Sequence, residues 1–422
     1  MEKEIQRSVL GVGIDYLNHF PVVFIEGARQ VGKSTLTRQL RGDDPGAVFV
    51  NFDDPAELRI AETNPSIFVE QAGTTLVIDE IQRFPDVLLH IKNSLERNRR
   101  PGRFLATGSV GVLKVPGNQE SLAGRAVTIH LQGLSQNERN GTKVDFVKLL
   151  DQLDNPYRLS SSLTRADYAE MITAGGFPEV YSQSPRLRRA WFRSYIERII
   201  ERDVGVFPRG TQPARVKSVL SLLAANHCGE LVYSRFANDL DVSMPSVRDT
   251  VDALSAVFFV EEVPAWSTNL TSREVSRTKA VISDPGLAAH LMGDTAESLS
   301  TISSTNFGPL LEGFVASELL KQKDWADQYF DLYHYRDTRG TEVDFVLALE
   351  NGDIIGIEVK ATSDPRISHA TGLSKLKERV GSKWRAGIVF HTGTKGAPLG
   401  DDIFALPISA LWGGVSRRPA AG

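Results

Sequence analysis

Between Pro21 and Leu131 short apolar runs at residues 22–25, 48–52, 76–78, 104–107 and 127–131 alternate with longer amphipathic stretches. Runs of this length without internal polar alternation predict strands covered on both faces, and the helix-length spacers predict crossovers. The pattern therefore predicts parallel βαβ units in an α/β domain. After Leu131 the periodicity turns helical, most clearly over 163–204, where Arg165, Arg188, Arg189, Arg193, Arg198 and Arg202 decorate apolar positions. That stretch is expected to form a helical lid. Residues 215–263 run helix (215–225), short helix (234–240), turn (242–244), helix (245–256) and strand (258–263), the order of a winged helix-turn-helix. A last α/β segment is expected from about Arg277, with the Ser/Thr-rich residues 295–306 as its most loop-like part and 417–422 as a frayed tail.

At 422 residues the chain is long enough for two to four domains of about 100–200 residues each. Hydrophobic residues make up 41% and charged residues 24%, a balance that excludes a largely disordered chain. The 48 basic and 52 acidic side chains leave a net charge of −4, so any attraction to nucleic acid or anionic lipid has to be local. Cys228 is the single cysteine and has no intrachain disulfide partner, which fits a reducing compartment. The start, Met-Glu-Lys-Glu-Ile, lacks the apolar stretch of a signal peptide. No run of about 18 apolar residues occurs either. A cytoplasmic location without a membrane partner is expected.

The sharpest chemical signal is Gly27-Ala28-Arg29-Gln30-Val31-Gly32-Lys33-Ser34, followed by Thr35, which fits G-x-x-x-x-G-K-[ST] between a predicted strand and a predicted helix. Glycines at those positions let the backbone curl so that its N–H groups face the phosphates of ATP. Lys33 adds a point charge there, and the Ser34 hydroxyl is a ligand for Mg²⁺. About fifty residues on, Leu76-Val77-Ile78-Asp79-Glu80 is an apolar strand ending in two carboxylates. Asp79 is expected to hold Mg²⁺ through water while Glu80 polarises the attacking water, because phosphoryl transfer asks the protein mainly for positioning and charge stabilisation. The next run ends in Ala106-Thr107-Gly108-Ser109 at the carboxyl edge of the predicted sheet, where ligands bind. Thr107 and Ser109 both qualify for touching the γ-phosphate or orienting the water, and Ser109 is favoured. Arg125 precedes the last run and is a candidate to project onto a neighbouring subunit's γ-phosphate; the alternative is a surface ion pair.

These motifs, with Ser121-Leu122-Ala123-Gly124-Arg125 and Gly175-Gly176-Phe177-Pro178-Glu179, resemble bacterial and archaeal AAA-type ATPases fused to a C-terminal domain of unknown function related to PD-(D/E)xK nucleases. The resemblance runs over nearly the whole chain. It implies an AAA-type core, expected at 1–150, and a restriction-endonuclease-like α/β domain, expected at 269–422, with the helical lid of the pattern above at 151–208 and its winged helix at 209–268 between them. It puts Arg125 where an arginine finger belongs, which requires a homo-oligomer, and it leaves Arg186, Arg188 and Arg189 all open as lid sensors.

Charge weighs against the middle segment as a DNA reader. Between Gly210 and Ala265, Arg215, Lys217, Arg235 and Arg248 face seven acidic residues, and the helix at 245–256 carries one Arg and two Asp. Phosphate contacts normally dominate such affinity, so packing or docking of a protein partner is favoured. In the C-terminal part, 342–349 and 353–360 read as two strands round a tight turn. A three-residue loop Glu350-Asn351-Gly352 with Gly352 left-handed pairs Leu349 with Asp353 and sets Asp344 opposite Glu358. A two-residue Asn-Gly turn puts them on opposite faces. In the first register Asp344, Glu358 and Lys360 share a face, and with Glu312 on a preceding helix they resemble the PD-(D/E)xK constellation. That likeness implies carboxylates on Mg²⁺ and Lys360 steadying the attacking water. Lys375, Lys377, Arg379, Lys383 and Arg385 form a basic run after it, suited either to phosphates or to a solvated helix face. The leading reading is a Mg²⁺-dependent ATPase that drives or gates this C-terminal domain. The alternatives are an ATP-switched interaction module with little turnover and an ATP-gated metal-dependent DNA nuclease.

Overall fold

The computed structural model describes residues 4–111, 122–153, 155–204, 212–267, 277–413 and 415–417, the side chains of 202, 203 and 415–417 excepted. Ser121, the Arg202 side chain and 418–422 therefore lie outside the described residues. The chain divides into two compact units, one of residues 1–134 with 256–258 and one of 135–255 with 259–422.

In the first unit each of the five predicted runs contains a strand: β1 (Val22–Glu26), β2 (Val48–Asn51), β3 (Leu76–Asp79), β4 (Phe104–Gly108) and β5 (Ala126–His130). They pair in parallel in the order β2-β3-β4-β1-β5. Every residue of β1, β3 and β4 is buried, which is what unbroken apolar runs require of strands covered on both faces. Helices α1 (Leu10–His19), α2 (Lys33–Arg41), α3 (Pro55–Thr63), α4 (Pro65–Phe68) and α5 (Val87–Arg97) supply the crossovers. On α5, Val87, Leu88, Ile91 and Leu95 are buried at helical spacing and join Val22, Phe24, Ile78 and Phe104 in one core. Because β1 sits between β4 and β5, the chain reverses its winding direction at β1. A crevice opens there at the carboxyl ends of the strands.

The second unit begins with α6 (Gln136–Asn140), α7 (Phe146–Asp151), β6 (Leu159–Ser161), α8 (Arg165–Ala174) and α9 (Pro185–Arg198), the last running into a π-helical turn at Ile199–Asp203. Next come α10 (Pro213–Ala225), α11 (Tyr233–Leu240), α12 (Met244–Ala256) and a two-stranded antiparallel sheet of β7 (Val260–Val263) and β8 (Lys279–Ile282). After α13 (Pro285–Met292) the polar stretch expected to be a loop contains a short helix, α14 (Ala296–Ser300). The reason is local. Thr295 and Ser298 form a reciprocal capping box, Oγ1 of Thr295 accepting from the Ser298 N–H at 3.1 Å and Oγ of Ser298 accepting from the Thr295 N–H at 2.9 Å. The hydroxyls that read as loop composition thus start a helix. Helix α15 (Phe307–Lys323) and α16 (Thr371–Val380) flank a six-stranded mixed sheet, β13-β14-β12-β11-β10-β9, made of β9 (Phe330–Arg336), β10 (Glu342–Leu349), β11 (Ile354–Lys360), β12 (Trp384–His391), β13 (Ala397–Gly400) and β14 (Ile403–Pro407).

Helix α8 packs on α13 and α14, and Arg188 of α9 is buried with its guanidinium on Glu170 of α8 at 2.6 Å. Arg188 thus ties two helices of this unit together. His227, just after α10, is buried directly against Gly313 of α15, where any β-carbon would collide with the ring. Its Nδ1 accepts from the Ile282 N–H at 3.4 Å, and burial lowers its pKa to about 4. The unfolded chain, with histidine near 6.5, takes up the proton first, so stability present above pH 6.5 is lost as the pH falls towards 4. The loss is about 3 kcal/mol at about 1.4 kcal/mol per unit. Melting between pH 7 and 4 is expected to show this acid limb, weakened in His227→Gln; equal limbs in the two proteins would count against it.

Candidate functional site

The segment after β1 turns sharply because Gln30 and Gly32 both take left-handed backbone angles, φ 62° and 99°, immediately before α2 begins at Lys33. Gly27 has to be glycine for another reason: a β-carbon there would run into the Leu131 carbonyl. Arg7, buried ahead of α1, donates to the carbonyls of Val31 and Gln132 at 2.7 Å each and so braces the loop from outside. Nothing in the linear pattern pointed to Arg7. The Lys33 ammonium lies over the loop, donating to the carbonyls of Gly27 (3.0 Å) and Ala28 (2.9 Å). Thr35, one step along α2, accepts from Arg38 at 3.1 Å.

Opposite the loop, the Ser34 hydroxyl donates to Oδ2 of Asp79 at 2.8 Å. A hydroxyl and a carboxylate side by side, 45 residues apart in sequence, are the hard oxygen donors that suit a magnesium ion. Thr107 donates to Oδ1 of Asp79 and accepts from the Glu80 N–H at 3.1 Å, which locks the end of β3 to β4. Glu80 adopts φ 59°, ψ 45°. That left-handed geometry costs a non-glycine residue of order 1–3 kcal/mol and turns the side chain out of the strand direction. Its carboxylate accepts from Ser109 Oγ at 3.1 Å and from Gln82, whose amide also donates to Ser109 at 2.7 Å. The structure therefore brings Lys33, Ser34, Asp79, Glu80, Thr107 and Ser109 together. Gln82 is a member of the cluster that sequence reasoning missed. Thr107 and Ser109 divide the work, one on Asp79 and one on Glu80.

Arg125 is elsewhere. It precedes β5, whose first residue pairs with Val22 at the start of β1, so it sits at the sheet edge opposite the loop, one strand length or about 13 Å away. Its guanidinium is 3.8 Å from Glu96. This surface ion pair is the alternative reading of Arg125, and the residue is not part of the Lys33–Asp79 cluster.

A second cluster lies in the C-terminal sheet. Phe345 pairs with Ile357 and Ala348 with Ile354, Gly352 is left-handed at φ 87°, and the Leu349 N–H donates to the Asp353 carbonyl at 2.9 Å. This is the register of the three-residue loop, with Asp344 opposite Glu358. A register shift against β9 between Val343 and Val346 falls on Asp344, and such a bulge re-aims a side chain. Oδ2 of Asp344 accepts from the Val359 N–H at 2.7 Å, and Lys360 Nζ is 2.6 Å from Glu358 and 3.8 Å from Asp344. Burial, with Asp344 beside it, raises the Glu358 carboxyl to about 8, and the same two causes raise Glu312 to about 7. The next partner was not legible in the linear pattern. Lys279, the first residue of β8 and nearly inaccessible, places Nζ 2.9 Å from Glu312 and 3.3 Å from Glu342. Burial opposes its charge, but Glu312 and Asp344 more than offset that and hold the ammonium above the usual lysine value. Among the described residues no three His, Cys, Asp or Glu side chains converge as a metal cage. Glu312 and Glu342 are instead paired with Lys279, and Glu358 and Asp344 with Lys360.

Three residues of the basic run, Lys377, Arg379 and Arg385, have partners. Lys377 bonds the Asp401 carbonyl at 2.8 Å, and Arg379 lies over the Tyr335 ring, 5.7 Å from its centroid. Arg385 is paired with Asp151. On α12, Arg248 lies over the Tyr233 ring, 5.1 Å from its centroid, while Arg215 of α10 donates to Ser246 at 2.6 Å. Among the described residues no helix is long and apolar enough to cross a membrane.

Comparison with protein families bears on the region that contains the first of these sites. Residues 19–140 match the model of the AAA domain. The match spans β1 to β5 and every residue of the Lys33–Glu80 cluster, and it supports an AAA-type ATPase in the first unit. Two further models match, a domain of unknown function (DUF8612) at 165–298 and a domain of unknown function (DUF4143) at 307–411. Uncharacterized proteins of Mycobacterium tuberculosis (strain ATCC 25618 / H37Rv) and Mycobacterium bovis (strain ATCC BAA-935 / AF2122/97) are each 28% identical over 397 residues, 94% of this chain and 82% of theirs. Among solved structures, a Walker-type ATPase of Pyrococcus abyssi aligns with TM-score 0.43 and 14% identity over 69% of this chain and 97% of that one. AMPPCP-bound DnaA from Aquifex aeolicus aligns with TM-score 0.29 and 12% identity over 59% and 86%. The AAA domain thus carries the Lys33 cluster, and the DUF4143 match contains Glu312, Asp344, Glu358 and Lys360.

Proposed function

We propose that this chain is a cytoplasmic Mg²⁺-dependent ATPase whose AAA domain hydrolyses ATP to drive or gate its C-terminal nuclease-like or partner-binding domain. The observation that carries the reading is the Ser34–Asp79 contact beside the Lys33 loop, which joins a hydroxyl at the start of α2 to a carboxylate at the end of β3 next to an ammonium held on the loop carbonyls. Backbone N–H groups of residues 27–35 would face the triphosphate, and Lys33 would exchange its loop carbonyls for phosphate oxygens. Ser34 and Asp79 would hold Mg²⁺, which when bound neutralises charge on the β- and γ-phosphate oxygens. Glu80, oriented by Ser109 and Gln82, would accept the proton of the attacking water. Arg125 would complete the site of a neighbouring copy, making the active form a homo-oligomer.

The helix and strand order α10-α11-α12-β7-β8 supports a winged helix in the middle segment. The order α15-β9-β10-β11-α16-β12, with Asp344, Glu358 and Lys360 on adjacent strands, supports a nuclease-like C-terminal fold. Steady-state phosphate release with Mg²⁺ tests the whole reading. The rate per chain is expected to rise with protein concentration, and Arg125→Ala is expected to bind ATP normally while losing turnover by roughly 10³-fold, the lower range for an arginine finger. A rate independent of both concentration and Arg125 would remove its role in trans. Pairing of Lys279 with the acidic face, and of Arg248 with Tyr233, favours a second reading, an ATP-switched interaction module. Negligible phosphate release with and without DNA would select it.

A further inference from the structure

The nuclease-like face contains four carboxylates, Glu312 on α15, Glu342 and Asp344 on β10 and Glu358 on β11, and two ammonium groups. Lys360 stands at the outer end of this group, against Glu358 and Asp344. Lys279 comes from outside the sheet. It is the first residue of β8, which pairs with β7 and, through a bridge at Lys279, with Glu230, and its Nζ reaches Glu312 at 2.9 Å and Glu342 at 3.3 Å. The same ammonium lies 5.8 Å from the centroid of the Phe345 ring, so the stem of the side chain is packed in an apolar wall.

A divalent ion can be held by one or two carboxylates with water, so what decides this face is how its carboxylates are already paired. An ammonium needs only two or three acceptors at ordinary hydrogen-bond distance, and Lys279 has carboxylates from two different elements. We infer that Lys279 is the resident cation of this acidic face: β8 supplies an ammonium where a nuclease-like site would take a divalent metal, and the wild-type C-terminal domain therefore holds no metal there. The inference rests on the nuclease-like reading of the fold and is independent of ATP binding at Lys33. The two ammonium groups offset two of the four carboxylates within one chain, and any partner the face meets is met without metal-activated water.

The test uses the full-length protein without nucleotide and Mn²⁺ as the probe, followed by calorimetry and by melting in EDTA against millimolar Mn²⁺. Wild type and Glu358→Ala are expected to give the same Mn²⁺ isotherm, because no metal sits beside Glu358. Lys279→Met, which keeps the length of the stem and removes the charge, is expected to gain one Mn²⁺ site at least tenfold tighter than any wild-type binding. Adding Glu312→Gln is expected to abolish that gain. If Lys279→Met is unfolded in EDTA, recovery of its structure by Mn²⁺ supports the inference and failure of Mn²⁺ to restore it counts against. A folded Lys279→Met that binds no more Mn²⁺ than wild type overturns it, as does wild-type binding that disappears in Glu358→Ala. Weak binding at the AAA domain is common to all these proteins and cancels in the comparison, so either result leaves the ATPase reading standing.

Discussion

Lys33→Ala is expected to lose ATP affinity by at least about 100-fold, with little change in the melting of the second unit. Hydrogen bonds to charged groups contribute about 1.5–3 kcal/mol each, and Lys33 stands to make more than one to a triphosphate; about 2.7 kcal/mol corresponds to 100-fold. The side chain is buried and already desolvated, donating to the carbonyls of Gly27 and Ala28. Exchanging those neutral acceptors for anionic phosphate oxygens gains strength without a new desolvation cost. Alanine also leaves the two carbonyls without that donor, so the loop loses part of its preorganisation. Isothermal titration with ATP and Mg²⁺ reads the affinity, and circular dichroism checks that the AAA domain is still folded. A folded Lys33→Ala protein binding ATP as tightly as wild type would end the nucleotide reading.

The loop was legible in the sequence because each fixed position answers a distinct physical demand. Gly27 is packed against a carbonyl, Gly32 takes a left-handed angle, and Lys33 and Ser34 point their heteroatoms inward. The register of β10 on β11 was legible only down to two alternatives, and the left-handed Gly352 with the observed pairing selects the three-residue loop. What stayed hidden are contacts set by tertiary structure. Lys279 opens the apolar run Lys-Ala-Val-Ile and reads as the solvated start of a strand, yet its partners are 33 and 63 residues away. Arg7 bonds a carbonyl 125 residues on. Nothing in the local composition around Glu80 marks its left-handed backbone, since that angle is imposed by the Thr107 contact and by Gln82 and Ser109 around the carboxylate.

Glu80→Gln is expected to keep ATP affinity within about threefold of wild type while lowering turnover by roughly 10²–10⁴-fold, the range for removing a positioned general base. The substitution is close to isosteric and brings no new backbone demand. The amide oxygen can take the place of Oε2 and still accept from both Ser109 and Gln82. The site should therefore remain assembled, with Ser34, Asp79 and Thr107 undisturbed, and only the capacity to take a proton from water should be lost. That separation of binding from chemistry makes the variant a trap. Saturated with ATP, it is expected to retain whatever protein or DNA the ATP-bound form engages, and to accumulate oligomer if Arg125 meets its neighbour only in that state. Single-turnover phosphate release against ATP titration is the deciding measurement. If both fall together, Glu80 supports the loop rather than the reaction, and the base must be sought on another side chain of the cluster.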